Sequence, residues 1–190
     1  MRKILFMILL LAATVAVNAQ SAETLYKEGK ALYDAKDYTK AFPKLKAAAE
    51  KGHKKAQYRV GRCYDKGRGV SKNEEQAFQW YKKSAAQDYA KAQYQLGKCY
   101  KDGEGTTKDR QQAIICFTKA AKQDNAEAQY QLGKACMKGK GVAADQKKAK
   151  SWLTKAVKNP KGGDKILAKL RKDSAEGDED AKAMLKLIGK

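Results

Sequence analysis

Residues 97–109, GKCYKDGEGTTKD, contain the residue types of a phosphate-binding loop. Two glycines, two threonines and a lysine lie within the stretch GEGTTK. Such a glycine-rich loop can bind phosphate oxygens through its backbone N–H groups when a strand precedes it and a helix follows it. The first question is therefore whether this loop binds a nucleotide or connects two helices.

Other groups that could perform chemistry are few. The single histidine, His53, is expected to be an exposed polar residue in a lysine-rich turn. With one histidine, the sequence offers no Ser–His–Asp or Cys–His arrangement, no HExxH motif and no histidine-based zinc cluster. Asp and Glu lie mainly at predicted helix ends and in loops, where they cap helices and interact with helix dipoles. The sequence therefore predicts no catalytic residue, no metal ligand and no cofactor.

The N-terminus has the pattern of a secretory signal peptide over residues 1–19. Arg2 and Lys3 precede an apolar run over 4–17, and small residues occupy the −3 and −1 positions of a cleavage site after Ala19. The run is shorter than the roughly 20 residues that a membrane-spanning helix needs. We therefore expect an exported protein, periplasmic or secreted, that does not span a membrane.

The formal net charge of the chain is +20, and it becomes +18 once Arg2 and Lys3 are removed. Such a surface attracts polyanions. However, 35 of the 41 basic residues are lysine and only 6 are arginine, whereas base recognition and bidentate phosphate binding favour arginine. The charge fits either a solvated surface or an acidic partner, and it does not predict specific nucleic-acid recognition.

A period of 36 residues organises the chain. Ala56-Gln57-Tyr58 recurs at 92–94 and at 128–130. Each copy has the apolar spacing of two amphipathic helices, so the recurring tyrosines belong to the packing of the repeat rather than to a base-stacking surface. Six further positions repeat at the same step: Gly61/Gly97/Gly133, Gly67/Gly103/Gly139, Gly69/Gly105/Gly141, Asn73/Asp109/Asp145, Ala77/Ala113/Ala149 and Lys83/Lys119/Lys155.

The repeat answers the question about the loop. Gly103 is expected to end one helix in a left-handed conformation, and Gly105 to turn the chain again. Asp109, with Gln112 three residues later, is expected to cap the next helix. The equivalent loops GRGVSKN and GKGVAAD keep the glycines and the cap but change the interior. Since a helix rather than a strand precedes the loop, the sequence predicts a connection and not a nucleotide site.

The pattern AQYxLGxxYxxGxGV…D…A…W…KAA resembles the Sel-1-like repeat, a relative of the tetratricopeptide repeat (TPR). The resemblance covers three copies, 52–87, 88–123 and 124–159. It implies an all-α fold, a right-handed superhelix (solenoid) of antiparallel helix hairpins. The departures are small: Thr106 replaces an apolar residue, and Cys116 replaces a tryptophan.

The flanking segments fit the same architecture. Residues 20–51 resemble a TPR-like helix pair, in which Gly29 and Ala41 are separated by 12 positions instead of 16, so the link is shorter. Pro43 lies early in the second helix of this pair and is expected to bend it. Residues 160–190 are expected to form two capping helices, near 164–176 and 179–188, that cover the last apolar face.

The cysteines leave two interpretations open. An even number fits disulfides in an oxidising compartment, although no CxxC pair occurs. Their predicted core-facing positions fit small buried hydrophobic side chains as well. A bridge between Cys99 and Cys116 across one hairpin is easier than one between Cys63 and Cys99, which would span about 10 Å between neighbouring repeats. The cysteines are Cys63, Cys99, Cys116 and Cys136.

The family resemblance also suggests a binding surface, because the first helix of each pair lines the concave side of the superhelix in this family. It implies an exported, non-catalytic interaction module that binds a protein or peptide, with acidic partners favoured by the charge. Two alternatives remain open: a cell-wall-related enzyme or small-molecule binder, and a lysine-driven binder of nucleic acid or other anionic polymers. The candidate partner-binding residues are Arg59, Gln95 and Gln131, and Arg62, Lys98 and Lys134.

Overall fold

The computed structural model describes residues 20–190, and the predicted signal peptide lies outside the described residues. Within 20–190 the regular secondary structure consists of ten α-helices, without a strand, which confirms the all-α prediction. No helix in this range is long and apolar enough to cross a membrane. The helices are α1 (Ala22–Asp34), α2 (Tyr38–Glu50), α3 (Lys54–Lys66), α4 (Glu74–Ala86), α5 (Ala90–Asp102), α6 (Arg110–Lys122), α7 (Ala126–Lys138), α8 (Gln146–Lys158), α9 (Gly163–Ala175) and α10 (Glu179–Ile188).

The chain divides into two compact units, one ending at Lys72 and the other covering Asn73–Lys190. In the first unit, α2 packs against both α1 and α3. In the second unit, each helix from α4 to α10 packs against the next one in sequence. Helix α10 also contacts α8, and α9 contacts α7. Both units are therefore built from consecutive antiparallel helices.

Glycines inside the first helices allow the second helices to approach closely. A Cβ atom on Gly97 would lie 2.6 Å from the Phe117 ring, and one on Gly133 would lie 2.6 Å from Cγ of Leu153. Both distances are shorter than a van der Waals contact, so only glycine fits without a shift of the partner. This packing compensates for the roughly 1 kcal/mol by which glycine is less favourable than alanine inside a helix.

The stretch 97–109 connects two helices, as the repeat predicts. Helix α5 ends at Gly103, which has φ 82° and donates its backbone N–H to the carbonyl of Cys99 at 2.8 Å. Gly105 has φ 67°, and a Cβ atom there would lie 2.1 Å from the carbonyl oxygen of Glu74. The first glycine is thus a helix cap, whereas the second also allows the loop to pack against the start of α4.

The residues that begin the second helices cap them with side-chain oxygens. Asn73, Asp109 and Asp145 each accept a hydrogen bond from the backbone N–H three residues later, at 2.8 or 2.9 Å. These bonds satisfy N–H groups that have no partner inside the helix. The repeated Asn/Asp position is therefore explained by helix capping.

The last helices cover the apolar side of α8. Helices α9 and α10 begin and end within one residue of the predicted ranges 164–176 and 179–188. Ile166 and Leu170 of α9 and Met184 of α10 form one buried core with Leu153 and Val157 of α8. Burial of these side chains shields a face that would otherwise be exposed at the end of the array.

Candidate functional site

The six candidate residues lie on first helices and are half-buried. In the first unit, Arg59 and Arg62 lie on α3. In the second unit, Gln95 and Lys98 lie on α5, and Gln131 and Lys134 lie at the equivalent positions of α7.

The two arginines of the first unit contact neighbouring side chains. The Arg59 guanidinium lies 3.4 Å from an oxygen of Asp34 and 4.8 Å from the centre of the Tyr33 ring. Hydrogen bonding to Lys30, and the nearby charge of Arg59, lower the pKa of Asp34. Arg62 donates a hydrogen bond of 3.4 Å to the hydroxyl of Tyr58, one turn earlier on the same helix. Contacts within the first unit therefore orient both guanidinium groups.

In the second unit, Gln131 and Lys134 line a cavity of about 280 Å³ between α5, α6 and α7. We call it the basic cavity. Ala113, Phe117 and Ala135 line it as buried apolar residues, and it also includes the half-buried Ile114 and six charged residues. Gln95 and Lys98 do not line it. The remaining lining residues are Lys101, Asp102, Lys108, Arg110, Lys138 and Lys140.

The electrostatics of the basic cavity are dominated by positive charge. Its lining holds six basic side chains and one acidic side chain, Asp102, which pairs with Lys101 at 3.3 Å. Lys138 pairs with Asp180 of α10. Within residues 20–190, Lys108 and Lys140 have no carboxylate within ion-pair distance.

Lys134 is the most enclosed cation of the basic cavity. Burial, and next the charge of Lys138, lower the pKa of the Lys134 ammonium group. Its Nζ atom lies 5.5 Å from the centre of the Tyr130 ring, close enough for a cation–π interaction. Burial raises the pKa of Tyr130 to about 12, so this phenol remains neutral at physiological pH. The charges of Asp180 and Asp178 act in the opposite direction, so Lys134 combines incomplete solvation with neighbours of both signs.

The cationic rim of the basic cavity was not predicted from the sequence, because the loop 103–109 was interpreted only as a connection. A signal was nevertheless present. Lys108 recurs as Lys72 in the preceding copy but is replaced by Ala144 in the next, and Lys140 corresponds to Arg68 in the first copy but to Glu104 in the second. Because alanine or glutamate also occupies these two positions, a basic side chain there is not needed for the packing of the repeat.

His53 is not the exposed residue that the sequence predicts. Only 14% of its side chain is exposed. Its Nδ1 atom accepts a hydrogen bond from the backbone N–H of Ala56, so Nε2 carries the proton and donates to Glu23 at 3.0 Å. The ring also stacks on Tyr26, with centroids 4.3 Å apart. The side chain thus caps α3 and ties it to α1, a role that depends on tertiary contacts absent from the local sequence.

The four cysteines are free and buried. Burial raises the pKa of the Cys63 and Cys116 thiols to about 11, which keeps both protonated at neutral pH. The bridge considered between Cys99 and Cys116 is not formed. Of the two interpretations, the structure therefore favours small buried side chains.

Hydrogen bonds between side-chain amides close two of the hairpins. Gln123, after α6, donates a hydrogen bond of 2.8 Å to the side-chain oxygen of Gln93 on α5. At the equivalent positions of the next copy, Asn159 donates a hydrogen bond of 3.1 Å to the side-chain oxygen of Gln129 on α7. These amides are structural, because each satisfies a polar group inside the fold.

Comparison with family models gives a match to the Sel1 repeat over residues 54–89, 90–125 and 126–160. A search of curated proteins found no match.

Solved structures with the same arrangement include a Sel1 repeat protein from Oxalobacter formigenes. It is 31% identical, with a TM-score of 0.68, over 82% of this chain and 72% of that protein. The c5321 protein of uropathogenic Escherichia coli strains, a protective antigen displaying an SLR fold, is 27% identical over 93% of this chain, with a TM-score of 0.74. The match spans only 39% of that protein. YrrB, a TPR protein with an unusual peptide-binding site, is 17% identical, with a TM-score of 0.56, over 93% of this chain and 89% of that protein.

Proposed function

The chain belongs to the Sel1 repeat family, and from this premise we propose that it is an exported, non-catalytic module that binds a partner protein. Proteins built from Sel1 or TPR-like repeats typically mediate protein–protein interaction. The observation that carries the proposal is a repeated pair of polar side chains: Gln95 and Lys98 on α5 recur as Gln131 and Lys134 on α7.

The proposed surface consists of the first helices within each unit. Equivalent residues of neighbouring helix pairs are spaced by about 10 Å, the diameter of a helix, so they can contact an extended segment at regular intervals. Amide groups can bind the backbone of such a segment, and ammonium groups can bind its carboxylates. In the first unit, Arg59 and Arg62 supply the equivalent positions on α3.

An acidic partner fits the charge of the chain. The formal charge of +18 expected for the mature chain accelerates association with a negatively charged surface and favours its orientation. The repeated side chains then select among the acidic surfaces by hydrogen bonding.

Crosslinking in intact cells, followed by identification of the captured protein, tests the proposed surface. The double variant Gln95→Glu, Lys98→Glu should reduce capture several-fold without unfolding the chain. The matched control is Gln111→Glu, Lys119→Glu, because it changes the same residue types and the same net charge on the exposed side of α6. If both variants capture the partner as well as the wild type does, the proposed surface is contradicted. If both lose capture to the same extent, the protein is a charge-driven polyanion binder.

Export is tested on the same cells. The pattern in residues 1–19 leads us to expect a mature protein that begins at Gln20, recovered from the periplasm or the medium. Intact-mass measurement of the fractionated protein checks this. A protein that keeps Met1 and stays in the cytoplasm would contradict the proposal.

A further inference from the structure

The basic cavity combines a rim of cations with apolar side chains beneath them. Lys108, Arg110 and Lys140 are exposed at its edge. Beneath them lie Phe117, which is 2% exposed, and the half-buried Ile114. A surface that is merely solvated does not need an apolar floor, whereas a binding pocket for an amphipathic group does.

The size of the basic cavity limits what can bind there. At about 280 Å³ it lies just below the range of about 300–1,000 Å³ that is typical of small-molecule and cofactor pockets. One or two amino-acid side chains therefore suit it better than a whole cofactor.

The chemistry of the walls argues against a nucleic acid. Binding of single strands relies on aromatic rings whose faces are available for stacking with bases. The only aromatic lining residue is Phe117, and it is almost completely buried. Five of the six cations are lysines, which bind phosphate as point charges rather than in the bidentate manner of arginine.

We propose that the basic cavity binds an acidic peptide segment in which an aliphatic side chain is flanked by Asp or Glu. The aliphatic group packs on Ile114 and Ala113, and the flanking carboxylates pair with Arg110, Lys140 and Lys134. This inference rests on the proposed function, since it specifies the segment of a partner protein that the second unit recognises.

Lys108 and Lys140 are positioned to attract that segment. Neither has a carboxylate within ion-pair distance in the described part of the chain, so no ion pair of theirs must break when a ligand binds. Lys101 and Lys138 already contact Asp102 and Asp180, and these pairs place negative charge at one side of the basic cavity. Hydrogen bonding to Lys138, and the nearby charges of Lys138, Lys134 and Lys140, lower the pKa of Asp180, so Lys140 also lies near this negative charge. The acidic groups of the ligand are therefore directed first towards Lys108 and Arg110.

The test measures binding of three fluorescein-labelled peptides, with blocked C-termini, to the mature protein by fluorescence anisotropy. The first peptide is Gly-Glu-Glu-Leu-Asp-Glu-Gly. The second replaces Leu with Ser, and the third replaces each acid with its amide. Losing the buried leucine should weaken binding about tenfold, and losing the acids should weaken it at least as much.

The protein variants locate the peptide. Arg110→Glu, Lys140→Glu should weaken binding of the leucine peptide about tenfold or more, because like charges would face each other. The matched control Lys147→Glu, Lys150→Glu makes the same charge change at exposed positions of α8 outside the basic cavity, and should alter binding less than twofold. Circular dichroism verifies that all variants are folded.

Three outcomes would overturn the inference: equal binding of the leucine and serine peptides, equal loss in the two double variants, or full competition by inorganic polyphosphate at matched charge. Its failure is distinguishable from that of the proposed function. If the cavity variant binds the peptide normally while Gln95→Glu, Lys98→Glu still loses its partner in cells, the cavity assignment is wrong and the module remains. If Arg110→Glu, Lys140→Glu loses the peptide while Gln95→Glu, Lys98→Glu still captures its partner in cells, the surface on α5 is wrong.

Discussion

The hairpins α1–α2 and α5–α6 have helices of equal length but different connections. Each contains two helices of 13 residues. In both, a glycine of the first helix faces a large side chain of the second: a Cβ on Gly29 would lie 2.9 Å from Leu45, and one on Gly97 would lie 2.6 Å from Phe117. The packing of a hairpin is therefore independent of the length of its link.

The links differ in what else they contact. In the first hairpin, Ala35–Asp37 connects the helices directly. In the second, Gly103–Asp109 is longer, packs on the backbone of Glu74, and supplies Lys108 to the basic cavity. The difference shows that the helices determine the core, whereas the longer link adds a contact with α4 and part of the lining of the basic cavity.

Within these two hairpins, substitution of Gly105 should have the largest effect on stability. In Gly105→Ala the methyl group would lie 2.1 Å from a backbone oxygen, and the residue would also keep a φ of 67°. We expect a loss of about 3 kcal/mol in the free energy of unfolding, from strain and overpacking together. Gly103→Ala, which has a similar φ but no contact under 3.5 Å, should lose only about 1–2 kcal/mol. Urea unfolding measures both, and equal losses would show that the contact with α4 is unimportant.

The next effect concerns the glycines within the helices. Gly97→Ala gains about 1 kcal/mol in helix propensity but forces the Phe117 ring to move, at a cost of about 1–3 kcal/mol. We expect a net loss of roughly 1 kcal/mol, with a loss of the same sign for Gly29→Ala. Thermal and urea unfolding check this. A stabilised variant in only one hairpin would show that the two cores are not equivalent.

The helix caps should contribute less to the free energy of unfolding than Gly105 of the long link does. Asp109→Ala removes the acceptor for the backbone N–H of Gln112, and we expect a loss of about 1 kcal/mol. Asp109→Asn keeps an acceptor and should lose little. If both variants are equally destabilised in urea, the negative charge rather than the hydrogen bond supports the start of α6.

The smallest effect is a pH dependence in the short link. A hydrogen bond from the backbone N–H of Lys40, followed by one from its side chain, lowers the pKa of Asp37. Because the folded pKa is below the unfolded value of about 3.9, the contribution to stability is complete above that value. It is lost as pH falls through the folded pKa.

Unfolding of the wild type and of Asp37→Asn between pH 6 and pH 2.5 tests this dependence. The wild type should lose more stability than the variant at the acidic end. Parallel pH profiles would contradict the assignment to Asp37.

The fold could be predicted because the repeated residues have packing roles that act at short range. Gly97, Gly103 and Asp109 each meet a requirement of a helix pair, so their spacing alone identified the hairpin and its loop. The same reasoning placed the last two helices, since the chain breaks at Pro160 and the glycines after it.

The site was less accessible to sequence reasoning. Lys101, Arg110 and Lys140 lie on separate elements, and only the packing of α5, α6 and α7 places them around one basic cavity. His53 shows the same limit, because its contact with Glu23 joins residues 30 positions apart. A period of 36 residues describes what the copies share, whereas the lining of the basic cavity also depends on where they differ.

The amide pairs that close two of the hairpins recur with the repeat, although the Gln129 amide also donates to the carbonyl of Ala121 in the preceding helix pair. Gln93 with Gln123, and Gln129 with Asn159, form hydrogen bonds that begin and end inside one helix pair. Duplication of a complete 36-residue segment of the gene would therefore duplicate the bond with it. An insertion of any other length between the two amides would separate the donor from the acceptor and leave buried polar groups unsatisfied. The array can thus lengthen or shorten in whole copies, while the residues around its cavities diverge separately.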